Sequence, residues 1–168
     1  MIHKEFCYMK VFGIILIVLV LAAVGGIGYL YLNAKLDVRF VTCIATDAVS
    51  QLDYFDSLKS DLASSTFTGT RFTSEAPDTA DKYQFLTYTV RLDNRSFLKA
   101  EVIEFRITPM QGDVLQVGDG NIHDLPSGQQ SDLSAMILTT REMHAVREAT
   151  ISYYFWGIPF TAKLTLGR

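Results

Sequence analysis

Cysteine is scarce in this chain of 168 residues, which contains only Cys7 and Cys43. A long apolar run separates the two thiols, so if that run spans a membrane they lie on opposite sides and cannot pair. The chain after the run then has no internal disulfide, whereas eukaryotic secreted domains of this size often carry one or more. The cysteine content therefore favours a prokaryotic cell surface as the setting of the protein.

The motifs of common enzyme classes are also missing. The sequence has no G-x-S-x-G nucleophile elbow, no H-E-x-x-H zinc motif and no glycine-rich phosphate loop after a strand. His123 and His144 occur in loop or turn contexts, without the spacing that is typical of zinc ligands. We therefore predict that the chain is not an enzyme and needs no cofactor. A hydrolase or metal-dependent enzyme of unrecognised pattern is the alternative.

Positive charge is in deficit in the part of the chain that follows the apolar run. Residues 36–168 contain twelve Lys and Arg against seventeen Asp and Glu, a net charge of −5. Binding to phosphate groups needs an excess of positive charge. Nucleic acid and anionic lipid are therefore not expected as partners of this surface.

What the sequence does contain is an uncharged run of twenty-two residues, VFGIILIVLVLAAVGGIGYLYL, from Val11 to Leu32. At about 1.5 Å per residue, a helix of this length covers the ~30 Å hydrocarbon core of a bilayer. Lys10 and Lys35 flank the run, and Tyr29 and Tyr31 are placed as an interfacial aromatic belt. The run predicts a transmembrane helix at residues 11–33.

The order of segments predicts a single-pass protein of the cell membrane with an uncleaved signal-anchor. Residues 1–10 form a short cytoplasmic head, and residues 36–168 form an extracytoplasmic domain. Two basic residues lie on each side of the run, so the positive-inside rule does not decide the orientation. The long C-terminal part decides it instead, because a large domain is translocated largely regardless of its charge. A signal peptide cleaved after Gly25 is the alternative, because small residues precede that position.

Residues 36–168 contain short segments of alternating apolar and polar residues, separated by turn formers, which is typical of half-buried strands. The segment from Ala48 to Leu62 differs, because its apolar residues recur at helical spacing. We therefore predict a mainly β fold after the transmembrane helix. It is an antiparallel β-sandwich of about seven strands, immunoglobulin-like or fibronectin-III-like, with one amphipathic helix.

The stretch VRLDNRSFLKAEVIEFRI, residues 90–107, carries the densest charge, which we interpret as the solvated face of a sheet rather than a catalytic cluster. The apolar residues on each side of its DNRS turn alternate with charged ones. The alternation changes phase once. It predicts that Ala100 and Val102 point inward, and that Ile103, directly after Val102, points inward too. A strand changes phase only by gaining a residue, so we expect a β-bulge at Val102–Ile103.

One segment supplies oxygen donors at close spacing. Asp119, Asn121 and Asp124, in the sequence DGNIHD, form a weak calcium candidate. The EF-hand pattern fails there, and turn formation accounts for the same residues. We therefore expect no metal site, with this trio as the exception to test.

Two further candidates concern the surface. Asn94 begins the sequon Asn-Arg-Ser on a predicted turn, where we expect it to be accessible, so it is a candidate glycosylation site if the host glycosylates proteins outside the membrane. Tyr154 and Trp156 belong to an aromatic run in which alternate residues face opposite ways. If the intervening residues are core, these two form a candidate binding surface, for example for carbohydrate.

Between Tyr83 and Thr139 a central strand is followed by a polar turn with Asn, a GDVLQVGDG segment, a loop ending in LPSGQQ and the strand LSAMILT. This order resembles the water-stress and late-embryogenesis group 2 domain family, over less than half of the chain. The resemblance implies a fibronectin-III-like sandwich in a non-enzymatic domain that is membrane-tethered or linked to desiccation. It implies no catalytic residues.

These features predict a membrane-anchored β-sandwich that acts as a non-enzymatic binding, structural or stress-associated module at the cell surface. Its expected partners are the lipid bilayer, through residues 11–33, and a protein or surface polymer. The alternative is an accessory subunit of a membrane complex.

Overall fold

The computed structural model describes residues 2–118 and 123–167, and the chain divides into two units between Lys35 and Leu36. The first unit is the helix α1, Ile2–Asn33. Among the described residues, its segment Phe12–Asn33 is the one helix that is long and apolar enough to cross a membrane, and none of that segment is buried. The predicted apolar helix is therefore confirmed in length and composition.

The second unit is built from two antiparallel sheets. One has the strand order β1-β3-β7-β5-β2 and the other the order β6-β4-β8-β9. The strands are β1 Leu36–Asp47, β2 Thr70–Arg71, β3 Tyr83–Asn94, β4 Ala100–Ile107, β5 Asp113–Gly118, β6 His123–Leu125, β7 Gln130–Thr140, β8 Arg147–Phe155 and β9 Ile158–Leu166. The predicted mainly β sandwich is confirmed, with nine described strands instead of about seven. The strand β6 was missed because three residues are too few to show an alternating pattern.

The predicted amphipathic helix is confirmed as α2, Leu52–Ser64, preceded by a 3₁₀ turn at Ala48–Gln51. Its apolar face buries Phe55, Leu58 and Leu62 in a cluster that also contains residues from β3, β5 and β7. Because these residues recur at helical spacing, a single face of α2 covers one part of the first sheet.

The predicted β-bulge is also confirmed. The register of β4 shifts between Ala100 and Ile103 against β6, and between Glu101 and Glu104 against β8. Val102 is the inserted residue, with a φ of +51°. Its side chain was expected to point inward, but half of it is exposed. The extra residue turns Val102 outward, which lets Ile103 continue the buried row of β4.

The charged stretch lies on the outer faces of the sheets, as predicted. Arg91 makes a bidentate ion pair with Asp132 across β3 and β7, with N–O distances of 2.7 and 2.8 Å. Farther along, Arg106 pairs with Glu104 at 2.8 Å. These side chains are about half exposed or more, so each pair contributes about 0–1 kcal/mol to stability.

One ion pair is different, because it is completely buried between the two sheets. Asp113 at the start of β5 accepts hydrogen bonds from Arg147 at the start of β8, from Nε at 3.0 Å and from Nη2 at 2.8 Å. The remaining donor Nη1 of Arg147 binds the carbonyls of His144 and Val146. The amide of Met110 donates to Asp113. Both charges are thus fully hydrogen-bonded, and they join the two sheets at one end of the sandwich.

Candidate functional site

The residues singled out from the sequence lie mainly at the end of the sandwich where β1 begins. We call this the Leu36 end and define it by Leu36, the β3–β4 turn from Asn94 and the β8–β9 hairpin tip. Leu36 is opposite Asn94 in the β1–β3 register. The amide of Leu36 also donates to Tyr153 Oη at 3.3 Å, which brings the second sheet to the same end.

Asn94 is buried, so the expectation that its sequon is accessible was wrong. The side-chain amide donates to the carbonyls of Leu98 and Leu125, at 2.8 Å each. Its Oδ1 accepts hydrogen bonds from the amide of Ser96 at 3.1 Å and the hydroxyl of Ser96 at 2.7 Å. Because both amide hydrogens are in use and Asn94 is 0 % exposed, the folded domain does not present it for glycosylation.

The aromatic run lies at the tip of the β8–β9 hairpin. Tyr153 and Phe155 are buried, and their rings make an edge-on contact with centroids 5.5 Å apart. The alternate residues point outward, since Tyr154 is 38 % exposed and Trp156 is 70 % exposed. The structure therefore places the candidate binding residues Tyr154 and Trp156 at the surface, above a core of aromatic rings.

The turn at the hairpin tip has two residues, Trp156 and Gly157, between the paired residues Phe155 and Ile158. Both turn residues have positive φ, +51° and +74°, which is the pattern of a type I′ turn. Asn-Gly is the favoured sequence for such turns, and a bulky residue with positive φ is an outlier. The backbone at Trp156 is therefore strained, and the structure gives no packing reason for a Trp there.

Replacing Trp156 with asparagine should therefore stabilise the protein. Asn tolerates the left-handed region, where other L-residues lose ~1–2 kcal/mol, so we expect W156N to gain about 1 kcal/mol. The measurement is thermal unfolding of the full chain in mild detergent, followed by circular dichroism. The matched control is Y154N, which makes a similar change in an exposed strand residue and should not stabilise. An unchanged or lower melting temperature for W156N would contradict the strain.

Val102 is a second bulky apolar residue with positive φ at this end of the second sheet, in the β4 bulge. Neighbouring Glu101 pairs with Tyr154 in the β4–β8 register. The Val102 amide donates to Asp124 Oδ1 at 3.2 Å, which holds the bulge against β6. Sequence reasoning found the bulge from the change of phase, but it did not identify Val102 as exposed, because the phase change alone does not say which residue is inserted.

The calcium candidate lies partly outside the described residues, which do not include Asp119 and Asn121. The described member, Asp124, has its carboxylate 3.0 Å from Lys99 Nζ. The hydrogen bond from Lys99 lowers the pKa of Asp124, and the same contact raises the pKa of Lys99. Within residues 2–118 and 123–167, no group of three or more His, Cys, Asp and Glu could hold a metal ion.

Three basic side chains of the Leu36 end, Arg39, Arg95 and Lys99, are engaged by carboxylates. Arg39 pairs with Asp37 at 2.6 Å. Arg95 lies 2.8 Å from Asp93 and 3.6 Å from Asp37. Lys99 lies 3.1 Å from Glu101, in addition to its contact with Asp124. These three side chains therefore form ion pairs rather than an unpaired positive patch.

Three surface clefts among the described residues of the domain are small. One, lined among others by Glu104, His123 and Gln116, has a volume of about 210 Å³. Two others, beside Lys163 and beside Tyr83, have volumes of about 210 and 200 Å³. Sites for small molecules are usually clefts of ~300–1,000 Å³. In the first cleft, the side-chain amide of Gln116 is hydrogen-bonded to the backbone. Its Nε2 donates to the carbonyl of Phe105, and its Oε1 accepts from the backbone amide of Ile107.

Comparison with protein-family models gives no match, and no curated protein matches the chain. Among solved structures, a yeast GGA1 GAE domain–P21 structure is similar with a TM-score of 0.37 and 11% identity, over 52% of this chain and 92% of that one. The cupredoxin domain of amoB from Nitrosocaldus yellowstonii is similar with a TM-score of 0.33 and 13% identity, over 77% of this chain and 85% of that one. Neither likeness assigns a function.

Proposed function

We propose that the chain is a single-pass membrane protein whose β-sandwich serves as a non-enzymatic binding or structural module at the cell surface. The observation that carries this proposal is the helix Phe12–Asn33, which is apolar on all sides and unburied. A helix that is hydrophobic all round is stable only inside a large core or in lipid. Only Ala34 and Lys35 separate it from the first strand of the sandwich.

The polar groups of the sandwich support a structural rather than a catalytic role. The buried polar residues Asn94, Asp113 and Arg147 use their hydrogen-bonding groups to hold turns and strands together. A catalytic site instead needs titratable groups that converge on a pocket large enough for a substrate. The clefts described above have volumes below those of usual substrate sites.

We further propose that the domain is related to the water-stress and late-embryogenesis group 2 family and has an immunoglobulin-like or fibronectin-III-like arrangement. The resembling segment, residues 83–139, runs from the start of β3 into β7. Its turn residue Asn94 is the centre of a buried hydrogen-bond network, which fits a turn that defines the fold. The partner in this reading is a protein or surface polymer bound by the loops.

The orientation that we propose is a cytoplasmic N-terminus and an extracytoplasmic domain, with α1 retained as a signal-anchor. The test is labelling of intact cells by a membrane-impermeant maleimide. Burial raises the pKa of the Cys43 thiol, which makes it a poor target, so the domain is probed by S57C on the exposed face of α2 in a C7A/C43A background. We expect S57C to be labelled in intact cells.

The matched control is C43A, in which Cys7 of the N-terminal head is the single thiol. We expect Cys7 to be labelled only after the cells are permeabilised. Labelling of Cys7 but not of S57C in intact cells would reverse the orientation. A mature protein whose mass lacks residues 1–25 would instead show that the helix is a cleaved signal peptide.

A further inference from the structure

We propose that the outer face of the first sheet, beside α2, docks a basic segment of another protein that inserts apolar side chains. We call this face the Ile44 row and define it by Ile44, Thr87, Met136 and Val117. The inference rests on the proposed role of the sandwich as a binding module, and it names the chemistry of the partner. It uses residues of the second unit alone.

The Ile44 row crosses four neighbouring strands. Ile44 of β1 is opposite Thr87 of β3, which is opposite Met136 of β7. Met136 is in turn opposite Val117 of β5. At ~4.8 Å between strands, the row is about 14 Å long. Gln116, next to Val117, is hydrogen-bonded to β4 of the second sheet, so the row faces the opposite way, toward the outside of the sandwich.

The helix α2 covers the adjacent row and leaves this one uncovered. Two residues farther along their strands, Phe85, Leu138 and Leu115 are opposite one another and are buried in the cluster that contains Phe55 of α2. The Ile44 row lies on the same face, ~7 Å from the covered row. Ile44 is 56 % exposed, and the other three members are partly exposed. A second element packed beside α2 would cover them.

The outer face of the second sheet shows what an exposed face of this domain carries. Its cross-strand rows are polar, with Glu104, Ser152 and Thr161 in one and Arg106, Thr150 and Lys163 in the next. Antiparallel sheets that face water on one side generally have polar residues on that side. The Ile44 row departs from this pattern, because three of its four side chains are apolar.

A cleft between the row and α2 has room for one side chain. Its lining includes Tyr54 of α2 and the row members Thr87, Val117 and Met136, and its volume is about 210 Å³. The Tyr54 ring is held against Phe85, with centroids 5.5 Å apart. Clefts for small molecules are usually larger, ~300–1,000 Å³, whereas protein interfaces are anchored by single side chains in pockets. The cleft therefore suits a side chain of a protein.

Carboxylates border the cleft on the α2 side. Asp61 follows Tyr54 by two helical turns and so lies on the same side of α2. Burial and then the negative charge of Asp61 raise the pKa of Tyr54. Asp53, directly before Tyr54, is exposed. No basic side chain of the described residues pairs with either carboxylate, and Lys59 of α2 donates instead to the carbonyl of Asp78.

This uncompensated negative charge selects the occupant. Lys or Arg beside the inserted apolar side chains would complement Asp53 and Asp61. A second copy of the domain is disfavoured, because residues 36–168 carry a net charge of −5 and two copies repel each other. The partner segment is therefore basic on one side and apolar on the other.

The test is binding of a defined peptide to the full chain in a nonionic detergent. The probe is a short amphipathic Leu/Lys peptide with leucines at helical spacing, labelled with fluorescein and followed by anisotropy, with empty micelles as the baseline. The matched probe replaces every Lys with Glu. We expect the Leu/Lys peptide to bind at least about tenfold more tightly than the Leu/Glu peptide, and salt to weaken its binding.

One pair of variants tests the apolar row. I44N removes the most exposed apolar side chain of the row and should weaken binding of the Leu/Lys peptide about tenfold. The matched control is I158N, which makes the same change at an Ile that is 45 % exposed on the second sheet and should bind like the parent chain. Circular dichroism verifies that both variants are folded.

A second pair of variants tests the charge. D53N/D61N should weaken binding about fivefold and reduce its dependence on salt. E142Q/E148Q changes the net charge by the same amount at two exposed positions away from the cleft and should weaken binding by less than about twofold.

Three results would overturn the inference. The first is a Leu/Lys peptide that binds I44N as tightly as the parent chain, or no better than empty micelles. The second is equal binding of the Leu/Glu peptide. The third is a parent chain that sediments as a dimer while I44N is a monomer, because a second copy then covers the row. Each leaves the membrane-anchored module standing, since maleimide labelling tests that proposal separately.

Discussion

Replacing Arg147 with alanine should lower the free energy of unfolding by about 3–5 kcal/mol, because it leaves the carboxylate of Asp113 buried without its counter-charge. Both side chains are 0 % exposed, so water cannot solvate the remaining charge. Native domains have free energies of unfolding of only ~5–15 kcal/mol. We therefore expect R147A to be largely unfolded or to melt far below the parent chain.

The measurement is thermal unfolding of the full chain in mild detergent, and two variants make it specific. R91A removes an exposed bidentate pair with similar geometry and should change stability by less than ~1 kcal/mol. The double variant D113L/R147M removes both buried charges and should recover much of the loss, since an apolar pair needs no solvation. A melting temperature for R147A equal to that of R91A would contradict the role assigned to the pair.

Replacing Asn94 with alanine is the second large effect that we expect. The change removes the amide that binds the carbonyls of Leu98 and Leu125, and the oxygen that binds Ser96. A buried polar group left without a partner destabilises by ~1–3 kcal/mol, so the loss should be about 3 kcal/mol. It should appear in the same unfolding measurement.

Two further variants test whether the loss of stability comes from the hydrogen-bond network of Asn94 rather than from the removal of any polar side chain. N94D keeps the shape but replaces the donor by an acceptor that faces two carbonyls, so it should be at least as destabilising as N94A. Q129A changes an exposed side chain in the facing loop and should stay within ~0.5 kcal/mol of the parent. If N94A were as stable as Q129A, the network would not hold the turn.

Features that depend on local pattern could be predicted from the sequence. The apolar run, the helical spacing of Phe55, Leu58 and Leu62, and the change of phase near Val102 are each visible within a few residues. The spacing of apolar residues shows which face of a segment is buried, and this spacing differs between helices and strands. The alternation of charged and apolar residues likewise predicted which faces of β3 and β4 are exposed to solvent.

Features that depend on distant partners could not be predicted. Asn94 was expected on an exposed turn because Asn is typical of turns, yet it is buried because Leu125, thirty-one residues away, accepts its hydrogen bond. Likewise, Asp113 and Arg147 are ordinary charged residues at strand ends until the fold brings them together across thirty-four residues. The exposure of Trp156 was suggested by alternation, but its backbone strain depends on the two-residue turn that the pairing of β8 with β9 creates.

We propose that lipid, not a protein core, covers the helix Phe12–Asn33, while the sandwich that follows needs no membrane. Alkaline carbonate extraction of cells that express either the full chain or residues 36–168 tests it most directly. We expect the full chain to stay in the membrane pellet at its complete mass until detergent is added, and the shorter chain to be folded and soluble. Recovery of the intact full chain from the aqueous fraction as a monomer would contradict it.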